Sequence, residues 1–435
     1  MGLLTSDDRD IFALAAPAFA ALISEPLMLL ADTAIIGHLG TVELAGLAVA
    51  STVLGTIIGL CIFLAYGSTA AVARHHGAGD DRGALALGLS GVWLAVGLGL
   101  VLAALTAVFA TPVTRGLSSS TAVTGQAHTY LLISTLGIPA MLVVLAAMGA
   151  LRGVLDMRTP LIVMIAANIL NVILNLVFVY GAGWGIAGAA TGTVIAQWFA
   201  AAWLTGSVLR KAHVVDSPVR PDVGEIFAAA RNGVPLIVRT ITLRAALLIA
   251  TAVAATQGDS PLAAHQIAVT IVTLFAFALD AIAIAGQALT GQSLGASDAV
   301  RTRQLTRRMM GWGAACGALA TVLLLALASV IPRLFSPDAQ VQSVLVPVLV
   351  VIAVIQPLSG VVFVLDGVLI GAGDGVFLAW AGLVVLAAYA PLALAVKAND
   401  AGLTWLWVAY GGFIAARLVT LYARQRKDRW MVLGA

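Results

Sequence analysis

GALRGVLD, residues 149–156, has a counterpart in GVLIGAGD, residues 367–374, with glycine, leucine, glycine and aspartate at matching positions. The two octapeptides begin 218 residues apart, about half the length of the 435-residue chain. The same shift places Pro139 on Pro357. Further glycine, proline and aspartate positions coincide without gaps, so the sequence predicts a duplicated chain.

The composition indicates that the duplicated chain lies in a membrane. Hydrophobic residues make up 61% of it and charged residues 10%, whereas soluble domains carry about 25% charged residues. Apolar runs long enough to cross a bilayer as helices recur from end to end. They predict twelve helices, near 11–37, 44–73, 84–110, 127–150, 161–181, 185–209, 225–256, 262–289, 306–330, 343–371, 376–397 and 402–423.

The repeat determines how these helices are arranged. Each copy holds six helices, and an even number of crossings gives both copies the same orientation in the membrane. We therefore predict an all-α membrane protein with two parallel-repeat six-helix lobes, residues 1–215 and 216–435. Duplicated halves are typical of secondary transporters, in which one half moves against the other around a shared site.

Basic residues are distributed unevenly between the predicted loops. With the N-terminus in the cytoplasm, seventeen Lys and Arg residues fall inside and three outside. The positive-inside rule then predicts that both termini are cytoplasmic. We also expect a multi-pass protein of the inner (cytoplasmic) membrane, as a monomer. We interpret the basic C-terminal tail as an anchor beside anionic lipid, and we expect no nucleic-acid partner.

Two carboxylates interrupt the first apolar run, SEPLMLLADTAIIGHLG (24–40). Glu25 and Asp32 lie about two helical turns, roughly 10 Å, apart on one face. Pro26 predicts a bend between them. Burial disfavours the charged form of a carboxyl group, so an interior acid without a cation can take up and release a proton.

Polar side chains on predicted helix 5 could serve these acids. Asn171 and Asn175 lie four residues apart on one face, with Asn168 nearby. An amide can hydrogen-bond a carboxyl group in either protonation state. A structural role, in which the acids only fix helix packing, is the alternative interpretation.

The second half carries different charges in its apolar runs, since apolar residues stand at the positions equivalent to the two acids. Its candidates for a polar cavity are Arg239, Arg244, Asp280, Gln287 and Asp366. Cations and anions in one cluster can neutralise one another, so structural ion pairs are an equal alternative.

Two further residues of this half are predicted to lie near water. His265, at the start of predicted helix 8, is interpreted as a solvated cap. Arg417, near the inner end of predicted helix 12, is expected to reach the interface with its long side chain.

Several stretches resemble one transporter family. ADTAIIGHLG (31–40), LRGVLDMRTPL (151–161) and AAHQIA (263–268) are similar to sequences of the multidrug and toxic compound extrusion (MATE) transporters. The first of them is most similar to the DinF-like branch. The resemblance implies two six-helix lobes forming a V, and export driven by a proton or sodium gradient.

The resemblance also implies roles for particular residues. Asp32 would be the coupling acid, protonation would bend the first helix at Pro26, and an asparagine and an acid of helix 5 would complete the site. Asn171 matches the asparagine, whereas Asn175 occupies the position of the acid. This departure leaves Asp32 as the main ion carrier and Glu25 as a second candidate.

Together these observations predict an ion-coupled antiporter that exports small amphipathic or cationic compounds by alternating access. The expected coupling ion is H⁺ rather than Na⁺. A flippase or exporter of a lipid-linked precursor, from the same superfamily, is the alternative. The sequence contains no HExxH motif and no clustered His/Glu metal pattern, and we expect no enzymatic activity, cofactor or metal site.

Overall fold

The structure, a computed structural model, describes residues 6–118 and 120–434, and the side chains of Ser6 and Glu25 lie outside the described part. Within these ranges every regular element is a helix. The first half contains α1 (Ser6–Gly37), α2 (Thr41–Leu60), α3 (Phe63–Gly77), α4 (Asp81–Leu117), α5 (Thr121–Thr135), α6 (Ile138–Gly153), α7 (Arg158–Leu176), a π-helical turn (Val177–Gly181) and α8 (Gly185–Val214). The second half contains α9 (Val223–Ala255), α10 (Asp259–Gly295), α11 (Ala299–Leu327), α12 (Ile331–Phe335), α13 (Ala339–Gly371), α14 (Gly375–Ala398) and α15 (Leu403–Arg426).

The twelve predicted membrane spans are confirmed for the described chain, as eleven long apolar spans and one bent pair. The bent pair is α5 and α6, whose axes differ by 52°. Pro139 stands in the first turn of α6. It has no N–H to continue the helix of α5, and its ring crowds the preceding turn. The predicted fourth helix is therefore broken at Leu136 and Gly137.

Contacts divide the chain into two compact units. We call residues 16–233 the N unit, and the residues up to 15 together with 234–434 the C unit. The predicted division between residues 215 and 216 falls in the connection between α8 and α9. Both α1 and α9 contribute residues to each unit.

The N unit is packed around α6, of which almost every residue is buried. Gly149 of α6 lies against Ala65 of α3, and Gly99 of α4 lies against Pro139 of α6. A Cβ atom on either glycine would clash with backbone atoms of its neighbour. Glycine therefore permits the close helix approach that small residues give to membrane helices.

The C unit repeats this packing around α13. Gly367 of α13 lies against Ala283 of α10, and Gly317 of α11 lies against Pro357 of α13. All four residues stand 218 positions after their counterparts in the N unit. The duplication predicted from the sequence is thus a duplication of helix contacts.

Candidate functional site

Asp32 is the centre of a polar group inside the N unit. Its residue is only 4% exposed on α1. The amide nitrogen Nδ2 of Asn175, on α7, donates a hydrogen bond to Asp32 Oδ1 over 2.7 Å. The salt bridges of the described residues do not include Asp32. A neutral amide rather than a cation therefore contacts this acid.

The two predicted asparagines extend the network away from Asp32. Asn175 Nδ2 also donates to Asn171 Oδ1 over 2.9 Å, and both side chains are fully buried. Asn171 Nδ2 donates to the Thr193 hydroxyl of α8 over 3.0 Å. Tyr130 of α5 is buried in the hydrophobic cluster that contains Ala189 of α8. The network thus joins α1, α7 and α8.

One acceptor of this network is unused. Asn175 Oδ1 is buried and has no hydrogen-bond partner among the described residues. Gly192 of α8 makes room for it, because a Cβ atom at that position would collide with this oxygen. Asn175 thus presents its amide nitrogen to Asp32 and its oxygen to α8. No group of three His, Cys, Asp or Glu side chains suited to a metal ion occurs in the described part of the chain.

The segment that carries the asparagines holds α1 on both sides of Asp32. Asn168 Nδ2 donates to the Ser24 carbonyl over 2.8 Å, just before Pro26. Tyr180, in the π-helical turn, donates its hydroxyl to the Ile35 carbonyl over 2.6 Å. The predicted bend at Pro26 lies between these two attachments. The side chain of Glu25, the second predicted acid, is outside the described residues.

An apolar cavity of about 370 Å³ lies between α1 and α7 in the same unit. Leu27 and Met28 line it from α1, and Ile169 and Ile173 line it from α7. Asn168 supplies an amide to the wall. The acid network and an apolar cavity thus share the same two helices.

The predicted polar residues of the C unit do not form one site. Asp366 forms ion pairs with Arg239 and with Arg417, the latter over 3.2 Å. Arg244 is exposed and forms no salt bridge with any described residue. Gln287 is buried where α10 meets Gly371 of α13. Asp280, also on α10, is half-buried and interacts with another group of the protein.

Two expectations for the C unit are wrong. Arg417 does not extend to the interface but is 9% exposed and paired with Asp366. His265 is not a solvated cap, since it is 1% exposed and its Nε2 lies 3.0 Å from the Thr251 hydroxyl. The ring of Trp407, from α15, lies 5.6 Å from the histidine ring. Helix α15 supplies both the cover over His265 and the second arginine of the ion-pair group.

Sequence reasoning missed Thr193, Ser24 and Tyr180. Threonine in a membrane helix commonly bonds its own helix, and Thr193 does so by donating to the Ala189 carbonyl. Ser24 takes part only through its backbone carbonyl, which no side-chain pattern can reveal. The adjacent Gly192 was the available signal, since a glycine in an apolar helix often marks a close approach.

Comparison with known proteins finds relatives along nearly the whole chain. The family model described as MatE matches residues 17–177 and 235–394, and its two matches begin 218 residues apart. The DNA damage-inducible protein F of Escherichia coli (strain K12) is 31% identical, over 98% of this chain and 94% of its own length. Protein DETOXIFICATION 44, chloroplastic, of Arabidopsis thaliana is 30% identical, over 94% of this chain and 80% of its own length.

Among solved structures, the bent form of the MATE transporter VcmN of Vibrio cholerae superposes with a TM-score of 0.90. The alignment covers 98% of each chain at 21% identity. At this identity the comparison supports the fold alone.

Proposed function

Because the chain belongs to the MatE family of transporters, we propose that it exports small organic compounds across the cytoplasmic membrane in exchange for protons. One observation carries the proposal. The carboxyl group of Asp32 is buried in a membrane-spanning helix and its hydrogen-bond partner is an amide. Such a group can gain and lose a proton without breaking an ion pair.

The Asp32–Asn175 pair can accommodate both protonation states. The ionised carboxylate accepts the hydrogen bond from Asn175 Nδ2. The protonated carboxyl is itself a donor and needs an acceptor. Asn175 Oδ1, which has no partner in the described residues, supplies that acceptor after the amide turns about its last side-chain bond. Proton uptake thereby changes the contact between α1 and α7.

That change acts on α1, whose backbone hydrogen bonding is interrupted by Pro26. Pro26 removes one backbone hydrogen bond from the interior of α1. Asn168 and Tyr180 attach the helix on either side of the proline. A rearrangement at Asp32 is therefore transmitted as bending at Pro26, which alters the cavity between α1 and α7 and alternates access to it.

The coupling ion and the substrate class follow from the same residues. A sodium ion needs several oxygen ligands, and an amide at position 175 leaves Asp32 as the charged group of the network. This favours H⁺, with Glu25 as a second candidate carrier. The apolar wall of the neighbouring cavity and the carboxyl group of Asp32 favour amphipathic or cationic compounds.

Transport in reconstituted vesicles tests the proposal. Wild type and Asp32→Asn are compared under an imposed pH gradient and, separately, an imposed Na⁺ gradient, with a fluorescent cationic drug as substrate. Asp400→Asn, a change of the same charge in an exposed loop, is the control. We expect a pH gradient to drive uptake by wild type and Asp400→Asn, and we expect Asp32→Asn to lose at least tenfold in rate, since it cannot exchange a proton.

Unchanged transport by Asp32→Asn would contradict the role of this acid. Transport that responds to Na⁺ but not to pH would contradict proton coupling.

A flippase or exporter of a lipid-linked precursor is the second proposal. Arg244 favours it, because an exposed guanidinium without an ion pair in the described residues could meet a phosphate group. Transport of such a precursor, lost in Arg244→Gln but kept in Asp32→Asn, would support this second function over the first.

A further inference from the structure

A second cavity of the N unit has polar walls that the proposed transport reaction does not use. It measures about 380 Å³ and lies between the start of α7 and the end of α8. The side chains that matter here are Asp156, Thr159, Ile162, Trp203, Arg210 and Lys211, all of which line it.

Asp156, the acid in the cavity wall, already has hydrogen-bond and ion-pair partners within the protein. Thr159 donates its backbone N–H over 3.0 Å and its hydroxyl over 2.9 Å to Asp156. Lys211 Nζ lies 3.1 Å from the same carboxylate. Burial acts to raise the pKa of Asp156, but these hydrogen bonds outweigh it and hold the pKa below its ordinary value. Asp156 is therefore ionised, and its carboxylate is paired with Lys211.

Arg210 is the uncompensated charge of the cavity. Arg210 is exposed, and its Nε donates to the Gly206 carbonyl one turn earlier over 3.2 Å. It forms no salt bridge with any described residue, so its terminal nitrogens are available. The indole N–H of Trp203 likewise has no hydrogen-bond partner within the described ranges and lines the same cavity. A planar guanidinium beside a second N–H donor suits a phosphate group.

The surroundings of the cavity indicate that the phosphate is carried by a lipid. Ile162 is 56% exposed and Trp203 is 37% exposed, on helices long and apolar enough to span the membrane. Phe199 packs edge-on against the Trp203 ring, at 5.5 Å between ring centres. Exposed tryptophan at the end of a membrane span is typical of the headgroup region. The exposed apolar side chains at the rim can contact an acyl chain, which free phosphate does not have.

We propose that this cavity binds the headgroup of an anionic phospholipid, with Arg210 paired to the phosphate, the Trp203 indole donating to it, and an acyl chain lying along Ile162. Basic pockets between membrane helices are suited to such headgroups.

Lipid retention on the purified full-length protein tests the proposal. Wild type, Arg210→Gln and Arg220→Gln are titrated in detergent with phosphatidylglycerol or phosphatidylcholine, and bound lipid is counted by native mass spectrometry. Arg220→Gln is the matched control, because it removes the same charge from an exposed loop of the same unit. We expect wild type and the control to prefer phosphatidylglycerol, and Arg210→Gln to bind it about fivefold more weakly, as expected for one basic contact near the surface.

Equal retention of phosphatidylglycerol by Arg210→Gln and Arg220→Gln would overturn the proposal. A competition arm separates the two sources of phosphate. If inorganic phosphate displaces bound phosphatidylglycerol from wild type at equal concentration, the site recognises phosphate alone and the lipid assignment is wrong. Arg210→Lys keeps the positive charge but lacks the planar guanidinium. We expect it to bind phosphatidylglycerol more strongly than Arg210→Gln does and more weakly than wild type does.

Discussion

At the scale of single residues, Asn175 decides what the proposed coupling site can do. It hydrogen-bonds both Asp32 and Asn171, and its oxygen has no hydrogen-bond partner among the described residues. An acid at this position would place two carboxyl groups within hydrogen-bonding distance. Two such groups cannot both be ionised and would share a proton. With an amide at position 175, Asp32 is the member of this pair that takes up and releases a proton.

Asn175→Asp should make the pH dependence of transport more complex. We expect the single titration step of wild type to become two apparent steps that belong to the Asp32–Asp pair together. Initial transport rates measured across the pH range, with Asn399→Asp in an exposed loop as control, give the comparison. A variant profile that superposes on that of wild type would rule out contact between the two side chains during the cycle.

The sequence predicted the members of this site better than their contacts. Asp32, Asn171 and Asn175 could be identified as site residues from the sequence. A polar side chain in a membrane helix costs free energy and therefore marks a candidate functional site. Which amide faces the acid depends on the rotation of α7 against α1, and a single sequence does not contain that rotation. For the same reason Arg417 and His265 were misplaced, since their neighbours come from distant helices.

At the scale of helices, α1 and α7 are joined by side-chain hydrogen bonds and carry the proposed coupling site. The three asparagines of α7 follow one another at spacings of three and four, so they share one face. That face attaches α1 at Ser24 and Asp32, and Tyr180 in the adjoining π-helical turn attaches it at Ile35. A π-helical turn is a frequent feature of functional sites.

Pro26→Ala should stabilise the protein and lower its transport rate. A proline inside a helix costs up to about 3 kcal/mol relative to alanine, so the melting temperature should rise. Transport should fall because α1 no longer bends easily at this point. Pro17→Ala, the other proline within α1, is the control and should raise stability with little loss of rate. Full transport activity in Pro26→Ala would show that the bend is not needed.

At the scale of the whole molecule, the first turns of α1 belong to the C unit and those of α9 to the N unit. Asp8 is fully buried and accepts hydrogen bonds from Arg308 over 2.6 Å and from the Trp312 indole over 2.7 Å. Glu225 of α9 accepts a hydrogen bond from Ser90 of α4 over 2.6 Å. Arg308 and Ser90 stand 218 positions apart, so both anchors use the same place in the repeat.

Asp8→Asn should weaken the anchor of α1 in the C unit. The variant keeps the shape of the side chain but loses the charge that pairs with Arg308, so the melting temperature should fall. The difference from wild type should shrink in high salt, because Arg308 is partly exposed and its pairing is screened. Asp10→Asn is the control, since its pair with Arg301 is longer and exposed on both sides. Equal melting temperatures for Asp8→Asn and Asp10→Asn would contradict the anchor.

The architecture of the chain was predictable because the bilayer dictates helix length and the repeat dictates helix order. The break between α5 and α6 was not predicted, although Pro139 was visible, because proline within an apolar run can also sit in a continuous helix, as Pro357 does in α13. The resemblance to MATE transporters is confirmed by the family match over both halves.

The first turns of α1 and of α9 each pack in the unit formed mainly by the other half of the chain. The boundaries between the units, after residues 15 and 233, are themselves 218 residues apart. Each half therefore lends the same segment to the other, which is the pattern of a domain-swapped homodimer. A six-helix ancestor that paired with its own copy in this way would have needed only gene duplication and a short linker, such as the connection between α8 and α9, to become a single chain. Separately produced halves should accordingly fold best by complementing one another.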